Sequence, residues 1–261
     1  EKVTGKAKYT GDLKLPGMVH ARILRPPSHG AKLTSADVSA AEKIDGVKVV
    51  RDGDFIAVVG ENRDRVDEAL VKIKAEYSFD ELKVNDKTVF DRMLSIKSAS
   101  NVVRTEGDIE AGYRQADKIF ETEYVDPYLA HAPIETHTAL ARFEGDKVTV
   151  WAATQTPFGL QDGIVSTFGI PREKVRVITP FVGGGFGGKS AFQQGIEAVR
   201  LAKMTGKPVM LAWTREEEFF YDNFHSAGVV KINSGIDKSG KITFWDYHVW
   251  YSGTRGSDTI Y

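Results

Sequence analysis

The sequence predicts an α+β fold built in two parts, and three observations carry that prediction. Short β-branched runs near the N-terminus precede a single amphipathic helical stretch. Further along, two pairs of alternating apolar and polar runs are each joined by a glycine-containing turn, as β-hairpins are. Between those pairs, a strand-like run leads through a glycine-rich loop into a helix-like segment.

In the first part, "MVHARILR" (Met18 to Arg25) alternates as a half-buried strand does. "GVKVV" and "FIAVVG" are β-branched runs separated by the turn "RDGD". "ENRDRVDEALVKIKAEY" places Val66, Ala69, Leu70 and Ile73 on one helical face, with acidic residues in its first turn. The stretch from Ser78 to Ser100 has no clear period and reads as a connection between domains.

The second part opens with "EGDIEAGYRQADKIFETEYV", a short helix running into a strand. "ALARFEGDKVTVWAAT" is the first hairpin, and "TPFGLQDGIVSTFGI" a helix with Pro157 in its first turn. "EKVRVIT" is a strand entering the glycine loop, "SAFQQGIEAVRLAKMTG" a helix capped by Gly206, and "PVMLAW" a buried strand. "GVVKINSGIDKSGKITFWDYHVWYSG" is the second hairpin, turning at "DKSG". The chain starts without Met and stops just after this aromatic run, which predicts a fragment of a longer polypeptide.

Composition excludes several function classes. The 261 residues are 41% hydrophobic and 27% charged, with a net charge of −1, which suits a soluble globular domain rather than a nucleic-acid or anionic-membrane binder. No apolar run reaches the ~20 residues needed to span a bilayer. There is no Cys, so structural disulfides, thiolate nucleophiles and cysteine-held iron–sulfur clusters are impossible within this chain.

The loop "TPFVGGGFGGKSAFQQG" has five glycines in the six positions 183 to 188. Gly183, Gly188, Lys189 and Ser190 fit the phosphate-loop spacing, and Gly183, Gly185 and Gly188 fit the dinucleotide fingerprint. Consecutive N–H groups ahead of a helix make an anion-binding context, and the plain alternative is a crossing too tight for a Cβ. A phosphate loop sits early in its domain and is followed by a strand ending in a metal-binding Asp; here "ITFWD", ending at Asp246, is a weak candidate on a hairpin. The dinucleotide reading needs an acidic residue at the end of the next strand, where Trp213, Thr214 and Arg215 stand instead.

"GGGFGGK", preceded by "VWAATQTPFGLQDGIVSTFGIPREKVRVITPFV", resembles the molybdenum-cofactor subunit of the molybdenum hydroxylases, the xanthine dehydrogenase and aldehyde oxidase family. "KVTGKAKYTGDLKLPGMVHARILRPPSHGA" and "GDIEAGYRQADKIFETEYVDPYLAHAPIETHTALA" extend the resemblance nearly end to end. The short first part, passing directly from "GVKVV" to "GDFIAVVGEN", is similar to bacterial isoquinoline-oxidoreductase-like or aldehyde-type subunits.

The resemblance implies an α/β-hammerhead domain over residues 1–78, a linker over 79–100, and the first part of a molybdenum-cofactor-binding α+β domain over 101–261. It implies a molybdopterin cofactor, in the cytosine dinucleotide form, whose dithiolene holds the metal, so that the lack of Cys is no obstacle. It also implies a small-molecule substrate, an aldehyde or N-heteroaromatic compound hydroxylated with water-derived oxygen. Expected partners are a subunit carrying [2Fe–2S] clusters, a FAD or cytochrome subunit, and the remaining C-terminal cofactor-binding region. The family's catalytic glutamate lies beyond Tyr261, so the chain is expected to be inactive alone.

Carried over residue by residue, Gln155 matches the glutamine that hydrogen-bonds a molybdenum oxygen ligand, and Phe186 and Gly187 match the loop pair beside the metal. Gly183, Gly184, Gly185 and Gly188 would allow the close approach. Lys189 either neutralises cofactor phosphate or is solvated. Ser190 stands where many members have a substrate-orienting glutamate, and Phe224 where purine-oxidising members have an arginine, which argues against xanthine as substrate. Two alternatives stay open: a phosphate-loop-like nucleotide-binding protein, and a non-catalytic scaffold that has lost the cofactor.

"HAPIETH" invites a zinc reading, because His131, Glu135 and His137 share parity in an extended segment. Pro133 interrupts any helix and the spacing is not the helical H-E-x-x-H arrangement, so packing is the expectation and no metal ligand is assigned.

Overall fold

The structure, a computed structural model, describes residues 1–80, 84–96 and 102–252. In chain order the elements are β1 (Val19–Ile23), β2 (Lys32–Asp37), β3 (Val47–Asp52), β4 (Phe55–Gly60), α1 (Arg63–Leu70), β5 (Lys74–Ser78), α2 (Val89–Ser95), α3 (Ile109–Gln115) and β6 (Lys118–Asp126). Then follow β7 (Thr138–Glu144), β8 (Lys147–Ala152), α4 (Pro157–Phe168), β9 (Val175–Ile178), α5 (Gln193–Thr205), β10 (Val209–Ala212), α6 (Arg215–Tyr221), β11 (Gly228–Ile236) and β12 (Ile242–Tyr251). They fall into two compact units, the first from residues up to Asp80 together with Ala130–Asn223, the second from the remaining described residues.

The first unit is mixed α and β around a seven-stranded sheet of order β3-β4-β1-β10-β7-β8-β9. β1 runs parallel to β10 and β8 parallel to β9, and the other neighbours are antiparallel. The sheet therefore draws strands from both sides of the 79–100 segment. β4 shows why its sequence is continuously apolar: Ala57 and Val59 face the main core with α4 and α5, while Val58 faces a smaller cluster with Ala41, Val66 and Ala69 of α1. Leu160 and Ile164 of α4 and Ala198, Val199, Leu201 and Ala202 of α5 fill the main core. Left-handed glycines end both helices, Gly169 at φ 64° and Gly206 at φ 67°.

Several expectations need correction. Asn62 caps α1 by accepting from the N–H groups of Asp64 and Arg65, but the helix stops at Leu70, and Ile73 lies beyond it. From Lys74 the chain is a strand paired with β2, which the sequence reading missed. The period-two pattern of Ala75 and Tyr77, half-buried between exposed Lys74, Glu76 and Ser78, won over the helical one once a partner strand supplied the ladder. The connection over 78–100 contains α2, with residues 81–83 and 97–100 outside the described set. α6 was also unforeseen.

The second unit holds a three-stranded antiparallel sheet of order β12-β11-β6. Tyr113 of α3 stacks on Phe244 of β12 with centroids 4.3 Å apart. On β12, Trp245, Tyr247, Val249 and Tyr251 alternate and are all exposed, and Phe120 and Tyr124 of β6 fall on the same side of the ladder.

Candidate functional site

Topology brings four segments to one end of the seven-stranded sheet. β7 begins there, and β8, β9 and β10 end there, as the pairings Ala139 with Ala152, Trp151 with Ile178 and Thr138 with Ala212 require. The segment before β7 carries His131, Glu135 and His137; the one after β8 carries Gln155; the one after β9 is the glycine loop; and α6 follows β10.

The glycine loop is held by its own turns and by Gln155. Gly188 N–H donates to the Gly185 carbonyl at 2.9 Å and Ser190 N–H to the Gly187 carbonyl at 3.0 Å. Gly187 N–H donates to Gln155 Oε1 at 3.1 Å, while Gln155 N–H donates to the Lys189 carbonyl at 2.9 Å. A Cβ on Gly185 would overlap the Gln155 carboxamide, and one on Gly187, where φ is 114°, would sit 3.0 Å from His131 Nε2. Gly185 therefore requires glycine for contact, and Gly187 for conformation as well. α5 begins only at Gln193, so the glycine amides do not form the helix N-terminus that the anion-nest reading assumed.

The donors left over are informative. Among the described residues, the N–H groups of Gly184, Gly185 and Phe186 have no acceptor, and neither has Nε2 of Gln155. Gln155 is exposed. Phe186 is 75% exposed and left-handed at φ 55°, a conformation that costs a bulky residue on the order of 1–3 kcal/mol and persists only where its surroundings impose it. Gln155 and residues 183–188 are thus brought together as one constellation.

Lys189 takes neither of its expected roles. It is fully buried, and its Nζ donates to Glu135 Oε2 at 2.9 Å. The same oxygen accepts Gly183 N–H at 2.7 Å. A lysine committed in this way does not reach a bound phosphate, which removes the physical basis of the phosphate-loop reading.

The three residues of the zinc reading do not converge. Ala132 is left-handed at φ 45°, which breaks the extended alternation the parity argument needed. Glu135 turns to Lys189. His137 is fully buried against Glu218, whose carboxylate accepts from its backbone N–H and meets Nδ1, both at 2.9 Å. His131 Nδ1 lies 3.3 Å from Asp222 Oδ2. His137 Nε2 and Asp222 Oδ1 face each other at 3.9 Å, both buried and without a partner among the described residues. Burial, reinforced by the Glu218 charge, pushes the Asp222 carboxyl above its ordinary range, while His137 and His131 pull it down. The donor atoms of His137, Glu218 and Asp222 lie within 4.8 Å of one another, but both Glu218 oxygens are committed to His137.

A second network stands beside it. Arg25 forms a two-bond pair with Glu197, at 2.5 and 2.9 Å, and reaches Glu217 at 2.6 Å. Burial alone would lower its pKa, and the two carboxylates more than reverse that, holding it well above the ordinary range. Sequence reasoning missed Asp222, Glu217 and Glu218. The signal was present in "TREE", where Thr214 and Glu217 form a capping box at the start of α6.

The profile of the "Molybdopterin cofactor-binding domain" family matches residues 95–258. A nicotinate dehydrogenase subunit of Pseudomonas putida is 28% identical over 99% of this chain and 23% of its own length. A probable xanthine dehydrogenase subunit of Bacillus subtilis is 30% identical over 95% of this chain and 38% of its own. The crystal structure of quinoline 2-oxidoreductase from Pseudomonas putida 86 superposes on 95% of this chain and 37% of its own with a TM-score of 0.78, at 21% identity, and so shares the fold. The chain spans well under half of each of these three proteins. By the extent of the profile match, and with the fold and the loop geometry in agreement, the chain belongs to the molybdopterin cofactor-binding domain family.

Proposed function

We propose that this chain is part of the molybdopterin-binding subunit of an oxidoreductase that hydroxylates an aldehyde or an N-heteroaromatic substrate with water-derived oxygen. The observation that carries this reading is the set of uncommitted donors: Nε2 of Gln155 and the N–H groups of Gly184, Gly185 and Phe186. It fits a group rich in oxygen acceptors. A carboxamide donates without titrating, and backbone donors already fixed by the fold need no reorganisation when an acceptor arrives. When bound, the cofactor supplies the redox chemistry at molybdenum.

The chain's own contribution is placement. Gln155 would hold the cofactor through Nε2, while its Oε1 accepts from Gly187 N–H. Gly183, Gly184, Gly185, Gly187 and Gly188 admit close approach, and the exposed Phe186 ring lines the approach of a flat substrate. The nicotinate dehydrogenase relative supports the N-heteroaromatic branch of the substrate class, and the aldehyde oxidoreductase relative PaoC of Escherichia coli the aldehyde branch. The finer organisation belongs to the same proposal: a hammerhead domain over 1–78, a linker over 79–100, and cofactor-binding sequence from 101 onward. So do the cytosine dinucleotide form of the cofactor, [2Fe–2S] clusters on a partner subunit, a FAD or cytochrome subunit, and a further C-terminal cofactor-binding region.

The test is elemental analysis of the whole natural polypeptide, produced with its iron–sulfur partner in a host that makes the pterin cofactor. About one molybdenum per chain is expected. Folded protein without molybdenum, alongside a partner that retains its iron, overturns the reading.

A further inference from the structure

We propose that Glu135 is a positioning residue for the cofactor: a single carboxylate oxygen draws the two ends of the glycine loop together and fixes the shape in which the loop receives its ligand. This rests on the cofactor reading above. The geometry is specific. Oε2 accepts from Gly183 N–H at 2.7 Å at the start of the loop and from Lys189 Nζ at 2.9 Å at its end. Glu135 N–H also donates to the Gly183 carbonyl at 3.2 Å, so residue 183 is gripped from both its sides. A Cβ on Gly183 would lie 2.5 Å from Glu135 Cβ, which shows how closely the two backbones pass.

The Lys189 end is itself anchored. Its carbonyl accepts from Gln155 N–H at 2.9 Å and from Thr154 Oγ1 at 3.2 Å. Glu135, Lys189 and Gln155 thus link three chain segments in series, and what hangs between the anchors is the run 184–186 with its free donors and its left-handed Phe186. A strained residue at a loop tip keeps its conformation only when its surroundings over-determine it, and the Glu135 clamp supplies that determination.

Stability alone is a poor account of the pair. A buried ion pair gains little over apolar side chains of similar volume, because desolvation offsets the attraction. Lys189 is fully buried, and Glu135 is its one ion partner among the described residues. The second oxygen, Oε1, is buried with no partner, so the carboxylate is not optimised for its own hydrogen bonding. Its value lies in where it holds the loop.

Three variants of the whole polypeptide separate placement from bulk stability: Glu135→Gln, Lys189→Met, and the two together. Three quantities are read on each: the unfolding midpoint, molybdenum retained per chain, and mass-spectrometric amide exchange across 183–190. Each single variant leaves one charge unpaired and lowers the midpoint. The double variant carries neither charge and recovers it. The proposal expects all three variants, the double included, to retain about tenfold less molybdenum than the parent, the size of loss seen when support of a metal site is removed. It also expects faster exchange confined to the loop. Retention and exchange that recover with the midpoint in the double variant overturn it, as does a Glu135→Gln protein with parental retention and exchange. Should the parent itself carry no molybdenum, the cofactor reading fails, and the exchange comparison alone still decides whether Glu135 clamps the loop.

Discussion

Two buried charged networks meet at α6, and they are built to different standards. Glu217 faces Arg25, which also pairs with Glu197; Glu197 accepts from Trp213 Nε1 at 3.1 Å and Glu217 from Thr214 N–H at 2.7 Å. The Arg25 guanidinium lies over the Tyr221 ring at 4.8 Å. Every ionised group there has its partners, and the orphan is the neutral Tyr221 hydroxyl, buried without a partner among the described residues. Glu218, the next residue, faces His137, and the chain runs on through Asp222 to His131 with two buried atoms left unmatched at 3.9 Å. The Asp222 carboxylate packs against Gly188, where a Cβ would lie 2.5 Å from Oδ2. The complete network joins the end of β1 to α5 and α6. The incomplete one lies under the glycine loop. Charge pairing is relaxed where the loop must be served, and the fold is held by the network whose ionised groups are all paired.

Arg25 is the cation on which the paired network depends. Replacing it by Met leaves two buried carboxylates without a cation, and breaking a buried pair in that way costs about 3–5 kcal/mol. Urea unfolding at pH 7 should register that loss. A cost under about 1 kcal/mol at pH 7 would mean that the network is solvated, and that its completeness does not distinguish it from the other.

In the other network, Asp222 is a buried carboxyl whose charge costs stability. Its carboxyl binds its proton more tightly in the folded state than in the unfolded one. Stability therefore falls as pH rises from the ordinary Asp range through the raised value, and levels off above it. Asp222→Asn removes that term: its stability profile should be flatter across the window, and at pH 7 it should unfold at a higher denaturant concentration than the parent. An unchanged slope would mean that Asp222 does not set the pH dependence of stability in that window.

These networks also show what the sequence could carry. Strands and helices with a strong period were legible, β4 through its unbroken apolar run and α5 through its core face and Gly206 cap. The glycine loop and Gln155 were legible as a pattern, because close backbone approach admits so few residue types. The burial of Lys189 was not, since nothing local says that a lysine after five glycines and a phenylalanine will turn inward to a glutamate 54 positions earlier. Nor was the turn at Ala132: an alanine before proline prefers extended backbone, and only tertiary contacts explain its left-handed φ. The lost segments share a cause as well. α6 and β5 are short, and their periodicity is too brief to outweigh neighbours that read differently.

The smallest expected effect on stability falls on the residue most directly joined to function. Gln155 is exposed, and its side chain's one bond is the Oε1 contact with Gly187. Truncating an exposed side chain of that kind changes stability by no more than about 0.5 kcal/mol. Gln155→Ala should therefore unfold with the parent in urea. It also removes both the free Nε2 donor and the acceptor that pins Gly187, so molybdenum content should fall several-fold in the same preparation. Such a pairing, unchanged stability with a lost cofactor, separates a residue that serves a ligand from one that serves the fold. A Gln155→Ala protein that keeps its molybdenum would shift the burden of holding the cofactor onto the backbone donors of 184–186, and would leave Gln155 no more than a prop for Gly187.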